Sequence, residues 1–218
     1  MNFLARTIES GRLYEKIEQA YPSTMLGHKG DTTSLIDPHT HSFGIVTRGK
    51  IQLHIGEDSF TLREGMYFSA PGACQIVGEG EAALFQRHGY RGLFSIGGPV
   101  EPSGRLTYID HCTTTLICPP PRDGDPCLNL LSFPGNLKQS AHIHPTIRLG
   151  AVISGTGHCV LQGSRQALKP GMAFVIEPNL LHSFESGPDG LNVIAYHPDS
   201  DGGPTDESHP MLNRTYLK

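Results

Sequence analysis

Three histidines in the C-terminal half of the chain have the type and spacing of a metal site. His142 and His144 are separated by one residue, and His182 follows a glycine-bounded apolar run. Because side chains alternate between the two faces of a strand, His142 and His144 would share one face. Imidazole nitrogen is a suitable ligand for iron, zinc, nickel and copper ions. We therefore predict that the three side chains meet at one divalent metal ion.

Arg148 lies four residues after His144 and brings a positive charge to this region. A guanidinium about 6 Å from a divalent ion repels it by roughly 5 to 6 kcal/mol at an effective dielectric constant near 20. Three alternatives follow: Arg148 pairs with an acid such as Glu177, an anionic ligand lies between Arg148 and the metal, or no metal binds. The second alternative makes Arg148 a binding residue for a small anionic molecule. Tyr196, near the end of an apolar run, is a second candidate for substrate binding.

An internal repeat indicates which elements position these residues. Residues 44–79 align without a gap with residues 150–185, at an offset of 106 residues. We therefore predict two copies of one small β unit. The identical pairs include Gly44 and Gly150, Val46 and Val152, Gly49 and Gly155, Leu62 and Leu168, Gly65 and Gly171, Met66 and Met172, and Phe68 and Phe174.

The local pattern throughout both copies is that of strands. Short alternating apolar runs are bounded by Gly, Pro, Asp or Ser, and the chain has 26 Gly and 17 Pro with only 17% charged residues. This pattern predicts an all-β protein of the sandwich or barrel type. Residues 10–20 are the exception, because Leu13, Tyr14 and Ile17 would share one face of a short amphipathic helix.

The segment around the first two histidines resembles the first motif of the cupin superfamily, Gly-x5-His-x-His-x3,4-Glu-x6-Gly. Here the motif runs from Gly135, one residue further from the histidines than usual, through His142 and His144 to Gly155. Arg148 stands at the position of the glutamate ligand and has the expected spacing to Gly155. The resemblance implies a metal ion bound by three histidines without the usual carboxylate.

The segment around the third histidine resembles the second cupin motif, Gly-x5-Pro-x-Gly-x2-His-x3-Asn. The spacing from Gly171 to His182 is that of the family. Glu177, Asn179 and Ser186 stand at its Pro, Gly and Asn positions. Together with the repeat, the resemblance implies a bicupin, an all-β chain of two tandem cupin barrels. The implied organisation is an N-terminal arm with the short helix (1–24), a first barrel (25–99), a connection (100–126), a second barrel (127–197) and a tail (198–218).

The first copy lacks the ligands of the second. The repeat offset transfers the ligand positions to four residues that do not bind metals: Ile36, Pro38, Ser42 and Ile76. His39 and His41 form a nearby His-x-His pair, but their strand parity is opposite to that of the ligand positions, so only a bulge or shifted register would turn them inward. We expect a first barrel that is structural or holds an organic ligand, with a second metal site as the alternative.

Two classes of function fit these features. In the first, the protein is an enzyme that uses a divalent ion to act on a small anionic molecule, and Fe²⁺ is expected as this ion ahead of Zn²⁺, Ni²⁺ or Mn²⁺. The resemblance to three-histidine cupin dioxygenases implies dioxygenase-like chemistry. Isomerase or lyase chemistry is equally open. In the second, the protein is a non-catalytic sensor or storage module. The first-copy segment PHTHSFGIVTRGK, which is similar to the effector-binding barrel of AraC-type regulators, favours this class.

Charge and composition exclude other classes. The net charge of −4 argues against a nucleic-acid-binding surface over the whole chain, and no apolar run is long enough to span a membrane. The N-terminus is too charged for a signal peptide, so we expect a cytoplasmic protein. The five cysteines include no Cys-x-x-Cys pair and are expected to be reduced; a soft metal site at Cys112, Cys118 and Cys127 is the alternative. The cupin resemblance implies a homodimer.

Overall fold

A computed structural model describes residues 3–200 and residue 216, and these residues are almost entirely β structure. The prediction of an all-β protein is confirmed. Within the described ranges, the helical structure is one short 3-10 turn at Ile109–His111. The strands are β1 (Phe3–Thr7), β2 (Gly11–Lys16), β3 (Ser23–Lys29), β4 (Thr32–Ile36), β5 (Thr40–Arg48), β6 (Lys50–Ile55), β7 (Asp58–Arg63), β8 (Tyr67–Pro71), β9 (Cys74–Gly78), β10 (Glu81–His88), β11 (Ser95–Gly97), β12 (Leu106–Thr107), β13 (Thr113–Cys118), β14 (Cys127–Phe133), β15 (Arg148–Leu161), β16 (Ser164–Leu168), β17 (Met172–Ile176) and β18 (His182–His197).

The strands form three antiparallel sheets that divide the chain into two halves. The N-terminal half has a six-stranded sheet in the order β11-β8-β5-β10-β3-β2 and a four-stranded sheet in the order β4-β9-β6-β7. The C-terminal half has one eight-stranded sheet in the order β1-β17-β15-β18-β14-β13-β12, with β16 paired to β15. In the part of the chain described, no helix is long and apolar enough to cross a membrane.

The repeated glycines make the same contact in both halves. Gly44 on β5 lies opposite Phe68 on β8, and Gly150 on β15 lies opposite Phe174 on β17. A Cβ atom at either glycine would be 2.2 Å from the ring of its partner. Each glycine therefore provides the space that a buried phenylalanine needs, which explains why the repeat keeps both residue types.

The N-terminal segment that was predicted to be a helix is a strand. Residues Gly11–Lys16 form β2, which pairs with β3 at the edge of the six-stranded sheet. Gly11 has φ +106°, a value outside the helical region, and Leu13 points into the core while Ile17 is 44% exposed. The prediction was wrong because hydrogen bonds to a sheet edge are not visible in the local apolar pattern.

Segments outside the two repeat copies also join the sheets. Strand β1 pairs with β17, so the start of the chain belongs to the sheet of the C-terminal half. Strands β12 and β13, which lie in the predicted connection, pair with each other, and β13 pairs with β14. Of the predicted tail, residues 201–215, 217 and 218 lie outside the described residues.

A large apolar cluster joins the two halves. Side chains on β5 alternate, so that Phe43 and Ile45 face this cluster whereas Val46 faces the interior of the N-terminal half. Complete burial of each large side chain contributes about 1.5 to 3 kcal/mol to folding. The two halves therefore pack as one body. The largest members of the cluster are Ile8, Met25, Phe43, Ile45 and Phe85 from the N-terminal half, and Leu128, Leu130, Leu149, Ile194 and Tyr196 from the C-terminal half.

Candidate metal centre and cavity

The structure brings His142, His144 and His182, here called the histidine trio, together. His142 and His144 lie between β14 and β15, and His182 is the first residue of β18. The backbone N–H of His142 donates to the His182 carbonyl at 2.9 Å, and the reverse bond is 3.0 Å. The three ring centroids are 4.6 to 5.2 Å apart, and the candidate ligand atoms lie within 4.8 Å of one another. Among the described residues, this is the cluster of metal-ligating side chains.

A backbone hydrogen bond also fixes the segment that carries His144. The N–H of Asn179 donates to the His144 carbonyl at 2.7 Å. Asn179 has φ +57°, a left-handed conformation that asparagine tolerates better than most residues with a side chain. This explains why asparagine can stand where the cupin motif has glycine.

Two members of the trio have a defined tautomer. The Nδ1 of His142 lies 3.0 Å from the Ser140 carbonyl, and the Nδ1 of His182 lies 2.8 Å from the Leu180 carbonyl. A carbonyl can only accept, so Nδ1 carries the proton in both rings and Nε2 has a lone pair available. The Nε2 of His182 is buried and has no hydrogen-bond partner. An imidazole whose Nδ1–H donates to a carbonyl is typical of metal ligands, because the other ring nitrogen, Nε2, is then free to bind the ion.

The environment keeps two members of the trio, His144 and His182, neutral. Burial, with smaller contributions from the charge of Arg148 and from the other two rings, lowers the pKa of His144 to about 3. Burial also lowers the pKa of His182 to about 4. These rings are therefore unprotonated at neutral pH, as a metal ligand must be. The donor set of neutral imidazoles with an unpartnered buried Nε2 fits a first-row divalent ion.

Two members of the trio, His142 and His144, line a cavity of about 120 Å³ in the C-terminal half. Its wall combines an apolar surface with a few polar groups, and no Asp or Glu is among the described residues that line it. The cavity can therefore hold a small molecule with an apolar body and a few polar atoms. The apolar lining is Leu131, Phe174, Ile176, Phe184, Val193 and Ala195, and the polar lining is Tyr108, Thr114, Asn129, Gln139, His142, His144, Arg148 and His197.

Arg148 lines this cavity and has an acidic neighbour other than Glu177. Its Nη1 donates to the Thr146 hydroxyl and to the Ile147 carbonyl at 3.0 Å, and it lies 3.7 Å from Oδ1 of Asp199. Glu177 instead accepts hydrogen bonds from Tyr14 and Lys16 on β2. The acid that faces Arg148 thus comes from beyond β18.

Tyr196 does not line the cavity. Strand alternation directs Ala195 and His197 toward the cavity and Tyr196 to the opposite face of β18. There the Tyr196 ring stacks on Phe85 with centroids 5.9 Å apart, and its hydroxyl lies 3.3 Å from the Ser23 hydroxyl. The Tyr196 side chain therefore lies in the core between the halves, on the face of β18 opposite the cavity.

Asn129 and His197 are among the polar residues of the cavity that sequence reasoning missed as site residues. The Asn129 amide nitrogen lies 3.2 Å from Nε2 of His197, and the rings of His197 and His144 have centroids 6.5 Å apart. Burial lowers the pKa of His197 well below its usual value. The alternation of side chains along β18 could have identified His197, because it puts His197 on the same face as Ala195. Asn129 could not be identified in this way, because its place depends on the pairing of β14 with β18.

The N-terminal half has no equivalent site in the described residues. His39 is exposed, whereas His41 is buried with both ring nitrogens engaged: Nε2 lies 2.7 Å from the Ser69 hydroxyl, and Nδ1 accepts the Gly92 N–H at 3.0 Å. The His41 nitrogens are therefore used within the fold. Ile36 and Ile76, which the repeat offset equates with His142 and His182, are buried in an apolar cluster.

The cysteines do not form a soft metal site. All five are free and buried, and Cys112, Cys118 and Cys127 form no metal-ligating cluster among the described residues. Burial raises the pKa of Cys112 and Cys127 to about 11 and that of Cys118 to about 12. These thiols remain protonated at neutral pH and behave as small apolar side chains.

Comparisons with known proteins agree with this architecture. Residues 127–201 match the family model of the AraC-like ligand binding domain. No curated protein matches the chain. Among solved structures, the chain is similar to a Cupin 2 conserved barrel domain protein from Leptotrichia buccalis, with 12% identity, a TM-score of 0.60, and coverage of 89% of this chain and 88% of that one.

Two further structures show the same likeness. Protein Ylba from E. coli has 16% identity and a TM-score of 0.61, with coverage of 92% of this chain and 84% of that one. A salicylate 1,2-dioxygenase from Pseudoaminobacter salicylatoxidans, solved as an adduct with gentisate, has 10% identity and a TM-score of 0.61, with coverage of 81% and 67%. At these identities the likeness concerns the fold. The matched segment spans 75 of the 218 residues, and the fold of the chain is similar to that of a cupin barrel protein.

Proposed function

We propose that this chain is a bicupin that binds one divalent metal ion through His142, His144 and His182 and acts as a metal-dependent enzyme on a small anionic organic molecule. The observation that carries the proposal is the convergence of three imidazoles beside a cavity that His142 and His144 line; Nδ1 of His142 and Nδ1 of His182 are each bound to a carbonyl. Each half then corresponds to one cupin barrel, and the metal-ligating cluster found among the described residues belongs to the C-terminal barrel.

The donor set is compatible with iron(II) chemistry. Three imidazole nitrogens leave coordination positions open for a chelating ligand, and imidazole suits Fe²⁺ as well as Zn²⁺ and Ni²⁺, whereas Mn²⁺ prefers oxygen ligands. The fold likeness to a salicylate dioxygenase supports an oxidative reaction of an organic acid. The bound ion would supply Lewis-acid activation of the ligand and, if it is iron, a site for dioxygen.

The charges around the cavity favour an anionic ligand. His144 and His182 are neutral, Arg148 is cationic, and no acid lines the wall among the described residues, so a divalent ion leaves an excess of positive charge at the wall. Arg148 would attract the carboxylate of the ligand, while Phe174 and Phe184 cover its apolar body and exclude water. The cavity volume of about 120 Å³ restricts the ligand to a small molecule.

Elemental analysis of untagged protein prepared without chelators tests this proposal. We expect close to one divalent ion per chain, and His144→Ala should lose it while retaining the fold. His39→Ala is the matched control, because it removes an exposed histidine from the other His-x-His pair and should keep the ion. A wild-type protein that remains metal-free after anaerobic reconstitution with Fe²⁺, or a His144→Ala protein with unchanged metal content, would contradict the proposal.

One observation favours a second function, that of a metal-free effector-binding module. The match to the AraC-like ligand binding domain covers residues 127–201, which contain the whole cavity wall except Tyr108 and Thr114. In that case a small carboxylate such as salicylate would bind equally well to wild-type protein and to His144→Ala. Calorimetric titration of both proteins with salicylate, with and without Fe²⁺, separates the two functions.

The assembly is a separate proposal. We propose a homodimer, as in other cupins, and light scattering on the eluting protein is the test. A mass close to 47 kDa, twice the chain mass of 23.6 kDa, supports the dimer, whereas a mass close to that of one chain contradicts it.

A further inference from the structure

Asp199 places a carboxylate beside the cationic residue of the cavity. Its Oδ1 lies 3.7 Å from Nη1 of Arg148, and the two side chains are 22% and 11% exposed. The Thr146 hydroxyl connects them, because it donates to Asp199 and accepts from Arg148. Since the pair is largely shielded from water, its mutual attraction is stronger than that of a surface ion pair.

Backbone hydrogen bonds hold Asp199 in place. The neighbouring Ser200 accepts a hydrogen bond from the N–H of Gly124 at 2.7 Å, and its hydroxyl donates to the carbonyl of Asp125 at 3.1 Å. Gly124 and Asp125 belong to the segment between β13 and β14. The chain that leaves β18 is therefore attached to the fold at the point where it presents its carboxylate.

The charge of Arg148 lies beside the histidine trio. The side chains of Arg148, His142 and His144 line the same cavity, so the guanidinium acts on that site across a short distance in a poorly solvated environment. The same field opposes a divalent cation bound by the trio. Among the described residues that line the cavity, none is acidic. The charge of Arg148 must therefore be balanced by an acidic residue that does not line the cavity.

We propose that Asp199 is the internal counter-ion of Arg148 and that this pairing allows three neutral imidazoles to bind a divalent ion beside a cationic residue. The inference rests on the proposed metal site and adds a positioning residue to it. Asp199 touches neither the ion nor the ligand. It acts through Arg148 by offsetting part of its positive charge and by holding the guanidinium against Thr146.

Metal affinity of the full chain measures this role directly. The probe is Zn²⁺, titrated into metal-depleted protein in competition with a chromophoric chelator. Asp199→Asn keeps the shape of the side chain and removes its charge, so we expect Zn²⁺ to bind on the order of tenfold more weakly. Asp199→Glu restores the charge and should recover most of the affinity. Asp58→Asn, which makes the same change in net charge on an exposed residue of the N-terminal half, should leave the affinity unchanged.

A double variant separates charge from structure. In Arg148→Gln/Asp199→Asn both charges are absent, so the affinity should return to within about threefold of wild type. If Asp199 only supports the fold, the double variant will instead bind as weakly as Asp199→Asn or more weakly, and the inference is overturned. Circular dichroism and the melting temperature of each variant identify a folding defect, and the Asp199→Glu comparison then carries the test.

The outcomes also distinguish this inference from the proposed function. If wild-type protein binds Zn²⁺ and His144→Ala does not, while Asp199→Asn binds as wild type, the metal site stands and the counter-ion role fails. If wild-type protein and His144→Ala both fail to bind, the metal site and the counter-ion role fail together.

Discussion

Buried His41 should make the stability of the fold depend on pH. Its side chain has no exposed surface, and burial lowers its pKa to about 4. The geometry points the same way, because Nδ1 must be unprotonated to accept the Gly92 N–H. An unfolded chain returns the group to a pKa near 6.5. Between pH 6.5 and pH 4 the unfolded state therefore binds more protons than the folded state, and stability falls as the pH falls through this window.

The expected magnitude follows from the two pKa values. At pH 7.5 both states are unprotonated and His41 has almost no pH-linked effect. At pH 5.0 the unfolded state has taken up a proton and the folded state has not, which removes about 2 kcal/mol of stability at about 1.36 kcal/mol per pKa unit. Other buried histidines add to the total change, so the contribution of His41 must be taken from a difference between proteins.

The comparison of His41→Gln with wild type provides that difference. Urea unfolding, followed by circular dichroism at pH 7.5 and pH 5.0, should show the variant to be less stable at pH 7.5, because the contacts with Ser69 and Gly92 are disturbed. The stability gap between the variant and wild type should shrink by about 2 kcal/mol at pH 5.0. His39→Gln, at an exposed position, should follow the wild-type pH dependence. A gap for His41→Gln that is the same at both pH values would refute the reasoning.

Three further predictions concern packing, the role of Tyr196 and metal removal. Gly150→Ala places a methyl group 2.2 Å from the Phe174 ring and should lower the free energy of unfolding by about 1 to 3 kcal/mol, measured as a lower urea midpoint. Tyr196→Phe removes the hydroxyl near Ser23 and should cost about 1 kcal/mol while leaving the affinity for salicylate unchanged, because the ring lies outside the cavity; a large loss of affinity by calorimetry would contradict its placement. Removal of the metal by a chelator should lower the melting temperature of wild type but not of His144→Ala, since an ion at about 100 times its Kd stabilises the folded state by about 2.7 kcal/mol; equal shifts in both proteins would count against the site.

The sequence predicted the strands well and the N-terminal helix badly for one reason. Alternation and turn residues are local features, and they describe a strand such as β5 or β18 wherever it lies. Residues 11–16 carry a helix-like apolar pattern, yet they bind to the edge of β3 as strand β2. The hydrogen bonds that a free sheet edge offers outweigh the local helix propensity of this segment. That sheet edge lies elsewhere in the molecule, so the residues of the segment contain no sign of it.

The sequence by itself determined the β class, the paired repeat and the three histidines of the candidate site. These follow from spacing along the chain: the glycines that make room for Phe68 and Phe174, and the motif positions of the trio. Only the tertiary structure decided what surrounds Arg148 and which way Tyr196 faces. Both depend on which strands are neighbours and on where the chain passes after β18. Charge balance at the cavity is thus set by Asp199, a residue outside every motif, because electrostatic contacts depend on distance in space and not on separation in sequence.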